Sequence, residues 1–84
     1  MTARVLVVDD IELNVKVLKA KLTAEYFDVS SAMSGEEALE LIERQPPDIV
    51  LLDVMMPGLD GIEVCRRIRA NPNTAQLPVG MVTA

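Results

Sequence analysis

The feature that most restricts the fold of this 84-residue chain is an alternation of short, continuous apolar runs with longer amphipathic stretches. "RVLVV" (Arg4 to Val8) and "DIVLLD" (Asp48 to Asp53) are apolar at successive positions rather than at every second one. A strand of that kind is buried on both faces, as central strands of a helix-covered parallel sheet are. "DVSSA" (Asp28 to Ala32) is more polar and fits an edge strand, while "PVGMVTA" (Pro78 to Ala84) fits a fourth strand weakened by Gly80. Helices are expected over roughly residues 12–25, 35–45 and 60–70 between them, the regular alternation of an α/β fold with a parallel sheet. Ser34 and Asp60 are the expected N-caps, and Glu37, three residues after Ser34, would complete a capping box.

Helical spacing assigns the second and third helices one apolar stripe each, Ala38, Leu41 and Ile42 on the former and Ile62, Cys65 and Ile68 on the latter. Both stripes are expected to face the core, which makes Cys65 a small buried hydrophobe rather than a redox group. The first helix carries two stripes. Ile11, Val15, Leu18 and Leu22 lie on one side, and Leu13, Val17, Ala20 and Ala24 lie nearly opposite. One face can rest on the sheet; the other needs a second cover that the remaining sequence does not offer.

Composition narrows the chemistry. Thirteen acidic against eight basic residues give a formal net charge of -5, which argues against nucleic acid or an anionic membrane surface as a partner. There is no histidine, and Cys65 is the lone cysteine, so zinc sites, Cys/His or Ser/His catalysis and an internal disulfide are excluded. A reducing, cytoplasmic setting is expected. "MTARVLVVDD" reaches acidic residues after a very short apolar run and resembles neither a signal peptide nor a membrane span. One domain, residues 1–84, is expected.

Against this background three aspartates stand out. Asp9 and Asp10 directly follow the first buried run, and Asp53 ends the third, just before a turn rich in Pro and Gly. An ionised carboxylate at the edge of a core is costly unless paired. Taken singly, Asp9 or Asp10 could cap the first helix and Asp53 could open the turn. Taken together, if the two strands are neighbours, three carboxylates gather at the carboxyl edge of the sheet, where open parallel sheets bind ligands. An oxygen-only cluster suits Mg²⁺ or Mn²⁺. A carboxylate held beside such a cation can attack a phosphoryl group and form an acyl phosphate.

"VLVVDD", "DIVLLDVMMPGLDG" and "LPVGMVTA" together resemble the receiver domain of bacterial two-component response regulators, in family order and spacing. The run from Val5 through "AKLTAEYFDVSSAMSGEEAL" is most similar to the first receiver of PleD-type regulators, whose output domain synthesises cyclic di-GMP. The resemblance implies a flavodoxin-like (CheY-like) fold with strand order 2-1-3-4 over the (βα)3β4 segment present. It implies that Asp53 accepts a phosphoryl group from a histidine kinase or phosphotransfer protein. Mg²⁺ would be held by Asp10 directly, by Asp9 mainly through water, by Asp53 and by the main-chain carbonyl of Met55. Thr83 would be the switch hydroxyl and the amide of Ala84 would lie beside it. Pro57, Gly58 and Gly61 match turn positions.

A receiver ordinarily continues with a further helix, a fifth strand ending in a phosphate-contacting lysine, and a fifth helix. This sequence ends at Ala84, and its lysines, Lys16, Lys19 and Lys21, all fall on the first helix. A chain of this extent is expected to be stable only as an oligomer, most simply a homodimer through strand four or helix one. The alternative function is accordingly that of a phosphorylation-independent dimerisation or interaction module. An enzyme in its own right is not expected. Haloacid-dehalogenase-like enzymes carry a second acid two residues after the nucleophile, where this chain has Met55, and no Gly-rich nucleotide loop is present.

Overall fold

The computed structural model of the protein describes residues 2–82. Its elements are β1 (Arg4–Val8), α1 (Glu12–Ala24), β2 (Asp28–Ala32), α2 (Gly35–Arg44), β3 (Ile49–Asp53), α3 (Gly61–Ala70) and β4 (Val79–Val82). The strands form one parallel sheet in the order β2-β1-β3-β4, the order that the resemblance implies. β3 starts one residue later than the apolar run suggests. β4 likewise starts one residue later than predicted, at Val79, and runs to Val82; Thr83 and Ala84 lie outside the described residues.

The order of strands decides where the helices go. The β1 to β2 connection runs one way across the sheet, and the β2 to β3 and β3 to β4 connections run the other. Right-handed crossovers therefore place α1 on one face and α2 with α3 on the opposite face. Side chains follow by alternation. Leu6, Val8, Val50 and Leu52 join Ala38, Ile42, Val64 and Ile68 in the main core. Val5 and Val7, one residue out of phase, are buried on the α1 side, where Val15 is also buried.

The helix ends are set locally. Ser34 Oγ accepts the Glu37 amide at 3.2 Å, and Asp60 Oδ1 accepts the Glu63 amide at 2.9 Å, so both expected caps form. α1 has no side-chain cap; its N-cap is Ile11, in extended conformation.

The stripe expected on α3 is shifted in phase. Ile62 is 55% exposed, Cys65 is half-buried at the margin of the core, and Gly61, Val64 and Ile68 make the buried face. On α1 the two-stripe reading holds, apart from Ile11, which is exposed at the cap. Val15 is buried and Leu18 and Leu22 are half-buried, whereas Leu13, Val17, Ala20 and Ala24 are exposed.

Candidate functional site

β1 and β3 pair in parallel with Val8 opposite Leu52, so the next residue along each strand, Asp9 and Asp53, falls on the same edge. Both occupy odd positions, the phase of Val5 and Val7, and so belong to the α1 side of the sheet. Asp9 is 6% and Asp53 7% exposed, the two polar side chains counted as buried among the described residues. Asp10 is partly exposed beside them. Carboxylate oxygens of the three residues lie within 4.8 Å of one another.

Both buried aspartates use the same local device. Asp9 Oδ1 accepts the amide of Ile11 at 2.9 Å, and Asp53 Oδ1 accepts the amide of Met55 at 3.0 Å. Each is a bond to the amide two residues on, the turn-forming geometry of aspartate, and each fixes its carboxylate at a strand end. Asp53 thus opens the turn as weighed in the sequence, whereas neither Asp9 nor Asp10 caps α1. The turn bond takes one oxygen's donor and leaves lone pairs on both oxygens.

No ion pair among the described residues reaches the cluster. The observed pairs, Arg4 with Asp28, Lys16 with Glu12, and Arg66 and Arg67 with Glu63, are all elsewhere and exposed to solvent. Within the cluster, Asp10 Oδ1 is buried and has no hydrogen-bond partner among the described residues. Three like charges thus converge with no cationic side chain to offset them.

Two further residues shape the site. Asn14, in the first turn of α1, donates from Nδ2 to Asp9 Oδ2 at 3.2 Å. Gly61 packs its backbone against the end of β3: a Cβ there would lie 2.9 Å from Val54 Cα and 3.0 Å from the Asp53 carbonyl carbon. That contact accounts for glycine at the start of α3, while Gly58 is needed for its φ of 71° in the turn. Gly61 was visible in the sequence as a turn residue; Asn14 was not singled out, since a lone Asn on an amphipathic helix suggests a solvated position. Its only sequence signal is that it stands five residues after Asp9, between Leu13 and Val15.

A cleft of about 320 Å³ adjoins the carboxylates, lined by Leu13, Asn14 and Val17 of α1 and by Asp9, Asp53 and Val82. Val82 pairs with Asp53 across β3 and β4; the expected site residues Thr83 and Ala84 lie outside the described residues.

The sequence matches the response regulator receiver domain family over residues 5–84. The chain belongs to that family. This receiver is 60% identical over 84 residues to the response regulator PleD of Caulobacter vibrioides, an alignment covering 100% of the chain and 18% of PleD. It is 42% identical over 84 residues to the phosphate regulon transcriptional regulatory protein PhoB of Rhizobium meliloti, covering 100% of the chain and 37% of PhoB. The chain thus spans well under half the length of these curated relatives.

Among solved structures, it is similar to the N-terminal domain of a response regulator receiver protein from Methanoculleus marisnigri JR1. The TM-score is 0.97 at 43% identity, over 100% of the chain and 68% of that one. The chemotaxis protein CheY4 of Vibrio cholerae gives a TM-score of 0.92 at 28% identity, over 96% of this receiver and 68% of CheY4. The CheY-like fold and the PleD-type resemblance inferred from the motifs both hold. A receiver domain is a signalling module of two-component systems, and among the described residues no helix is long and apolar enough to cross a membrane.

Proposed function

We propose that this receiver is a Mg²⁺-dependent (or Mn²⁺-dependent) phosphoacceptor, taking a phosphoryl group on Asp53 from a histidine kinase or phosphotransfer protein in the cytoplasm. The observation that carries the reading is the convergence of three carboxylates within 4.8 Å, with no cationic side chain beside them among the described residues. The unpartnered Oδ1 of Asp10 fits the same reading, because a hard divalent cation is the partner that a bare carboxylate oxygen suits. Asp10 and Asp53 would hold the ion directly, Asp9 mainly through water, and the main-chain carbonyl of Met55 would supply the remaining protein ligand. Once bound, the ion would neutralise charge on the oxygens of the transferring group.

The chain's own residues account for the rest. The Met55 amide orients Asp53. A carboxylate oxygen of Asp53 attacks phosphorus as the bond to the donor nitrogen breaks, leaving an acyl phosphate. Thr83, through its hydroxyl, and Ala84, through its amide, would meet the transferred group. The phosphoryl group adds charge where charge is already concentrated, which is how such a modification can reset a surface.

The test is to incubate the protein with Mg²⁺ and acetyl phosphate, and separately with beryllofluoride, comparing wild type with Asp53→Asn by intact mass and by fluorine NMR. An adduct confined to wild type is the expected result. No Asp53-dependent adduct would overturn the phosphoacceptor reading and leave the second one, an interaction module. That second reading is favoured by the exposed stripe of α1, where Leu13 is 68% and Val17 45% exposed, and by the outer edge of β4, unpaired among the described residues. Both readings include self-association of the 84-residue polypeptide as a two-fold dimer through one of these surfaces.

A further inference from the structure

We propose that Asn14 is a positioning residue of the cation site, acting through Asp9. The proposal rests on the reading of the carboxylate cluster as a cation site and adds to it a residue outside the acidic set.

Asp9 is the carboxylate that the protein holds at both ends. Oδ1 accepts the Ile11 amide at the start of α1, and Oδ2 accepts Asn14 Nδ2 in its first turn, at 3.2 Å. A carboxylate only accepts, so the Asn14 amide must present its NH₂ to Asp9 and turn its carbonyl oxygen away. Two donors on two oxygens fix the plane of the group, which one donor cannot do. Asp10 is arranged in the opposite way, with Oδ1 bare. The geometry divides the work: Asp10 offers an open oxygen, while Asp9 is a fixed charge whose remaining lone pairs can orient water.

The need for such a clamp follows from the repulsion within the cluster. Asp9 lies within 4.8 Å of two other carboxylates and is almost wholly buried. Without the amide, Oδ2 would lose its donor in a buried position, and rotation away from Asp10 and Asp53 would relieve the repulsion. The same rotation would carry Asp9 out of the site. Partners that orient ligands in this way typically contribute about 10- to 100-fold to metal affinity.

The experiment is a double-mutant cycle on Mn²⁺ binding, read from the electron paramagnetic resonance signal of free Mn²⁺. It uses the 84-residue protein as wild type, Asn14→Leu, Asp9→Ala and the double variant. Asn14→Leu is expected to weaken binding by about 10-fold or more in the wild-type background. In the Asp9→Ala background it should change binding by less than about twofold, the ordinary tolerance of additivity. A loss below about twofold in wild type, or an equal loss in both backgrounds, overturns the proposal. If Asn14→Leu does not retain the wild-type circular dichroism spectrum, Asn14→Ala enters the same cycle with the same criteria. Asp10→Asn is the separate control: unchanged Mn²⁺ affinity in that variant would overturn the cation site itself, independently of Asn14.

Discussion

A carboxylate that ends a buried strand has two oxygens to place, and at Asp9 and Asp53 the first goes to the amide two residues on. Asp10 has no such bond at its buried oxygen. Its negative charge therefore only adds repulsion when no cation is present, and removing that charge should stabilise the fold. In cation-free buffer, Asp10→Asn is expected to raise the urea midpoint, with a gain in unfolding free energy of roughly 1 to 3 kcal/mol given a partly solvated charge near two others. Saturating Mg²⁺ should reverse the ranking. Wild type gains RT ln(1 + [L]/Kd), about 4.1 kcal/mol at a thousandfold excess over the dissociation constant, while the variant gains little. Urea titrations with and without Mg²⁺ check the crossing; a wild type indifferent to Mg²⁺ contradicts it. The aspartates were legible in the sequence because a charge ending an apolar run needs a reason. Asn14 was not, because its bond to Asp9 depends on how α1 leaves the strand, which spacing alone does not give.

At the level of elements, most boundaries were readable because local signals agree. Apolar runs marked β1 and β3, and Ser34 and Asp60 marked two helix starts that form as expected. The phase of α3 departs from its expected stripe for a physical reason. Ile62 is larger and more apolar than Gly61, but the helix is seated by the position that needs no side chain. Gly61 lies against the backbone of Asp53 and Val54, and that contact turns Val64 and Ile68 inward and Ile62 out. Gly61→Ala is accordingly expected to lower stability by about 2 kcal/mol or more, since the new methyl meets main chain that cannot yield cheaply. Relief of the clash would move Asp53, so cation affinity should fall as well. Gly58→Ala provides the contrast. Its Cβ would meet nothing within 4 Å, but its φ of 71° is strained for alanine, so it should lose about 1 kcal/mol without loss of cation binding. Chemical denaturation with Mn²⁺ titration of the two variants distinguishes the effects.

For the molecule as a whole, strand order 2-1-3-4 puts one helix on one face of the sheet and two on the other. The thinly covered side carries the exposed α1 stripe, and Leu51 of β3 is only half-buried. The outer edge of β4 adds main chain that is unpaired among the described residues. The Val50 amide bonds to the Pro78 carbonyl and the Val54 amide to that of Val82, so even-numbered residues of β4 face β3. The odd-numbered residues, Val79 and Met81, turn their amides outward. Edges and apolar surfaces of this kind recruit another chain, and the 84-residue polypeptide is expected to sediment as a dimer at micromolar concentration. Two substitutions separate the routes. Met81→Pro removes an outward amide without breaking the bonds to β3, so it should give monomer if β4 edges pair. Val17→Lys places a charge on the α1 stripe and should give monomer if that stripe is the interface. Sedimentation velocity across a concentration series reads both, and wild-type protein that remains monomeric throughout the series overturns the expectation.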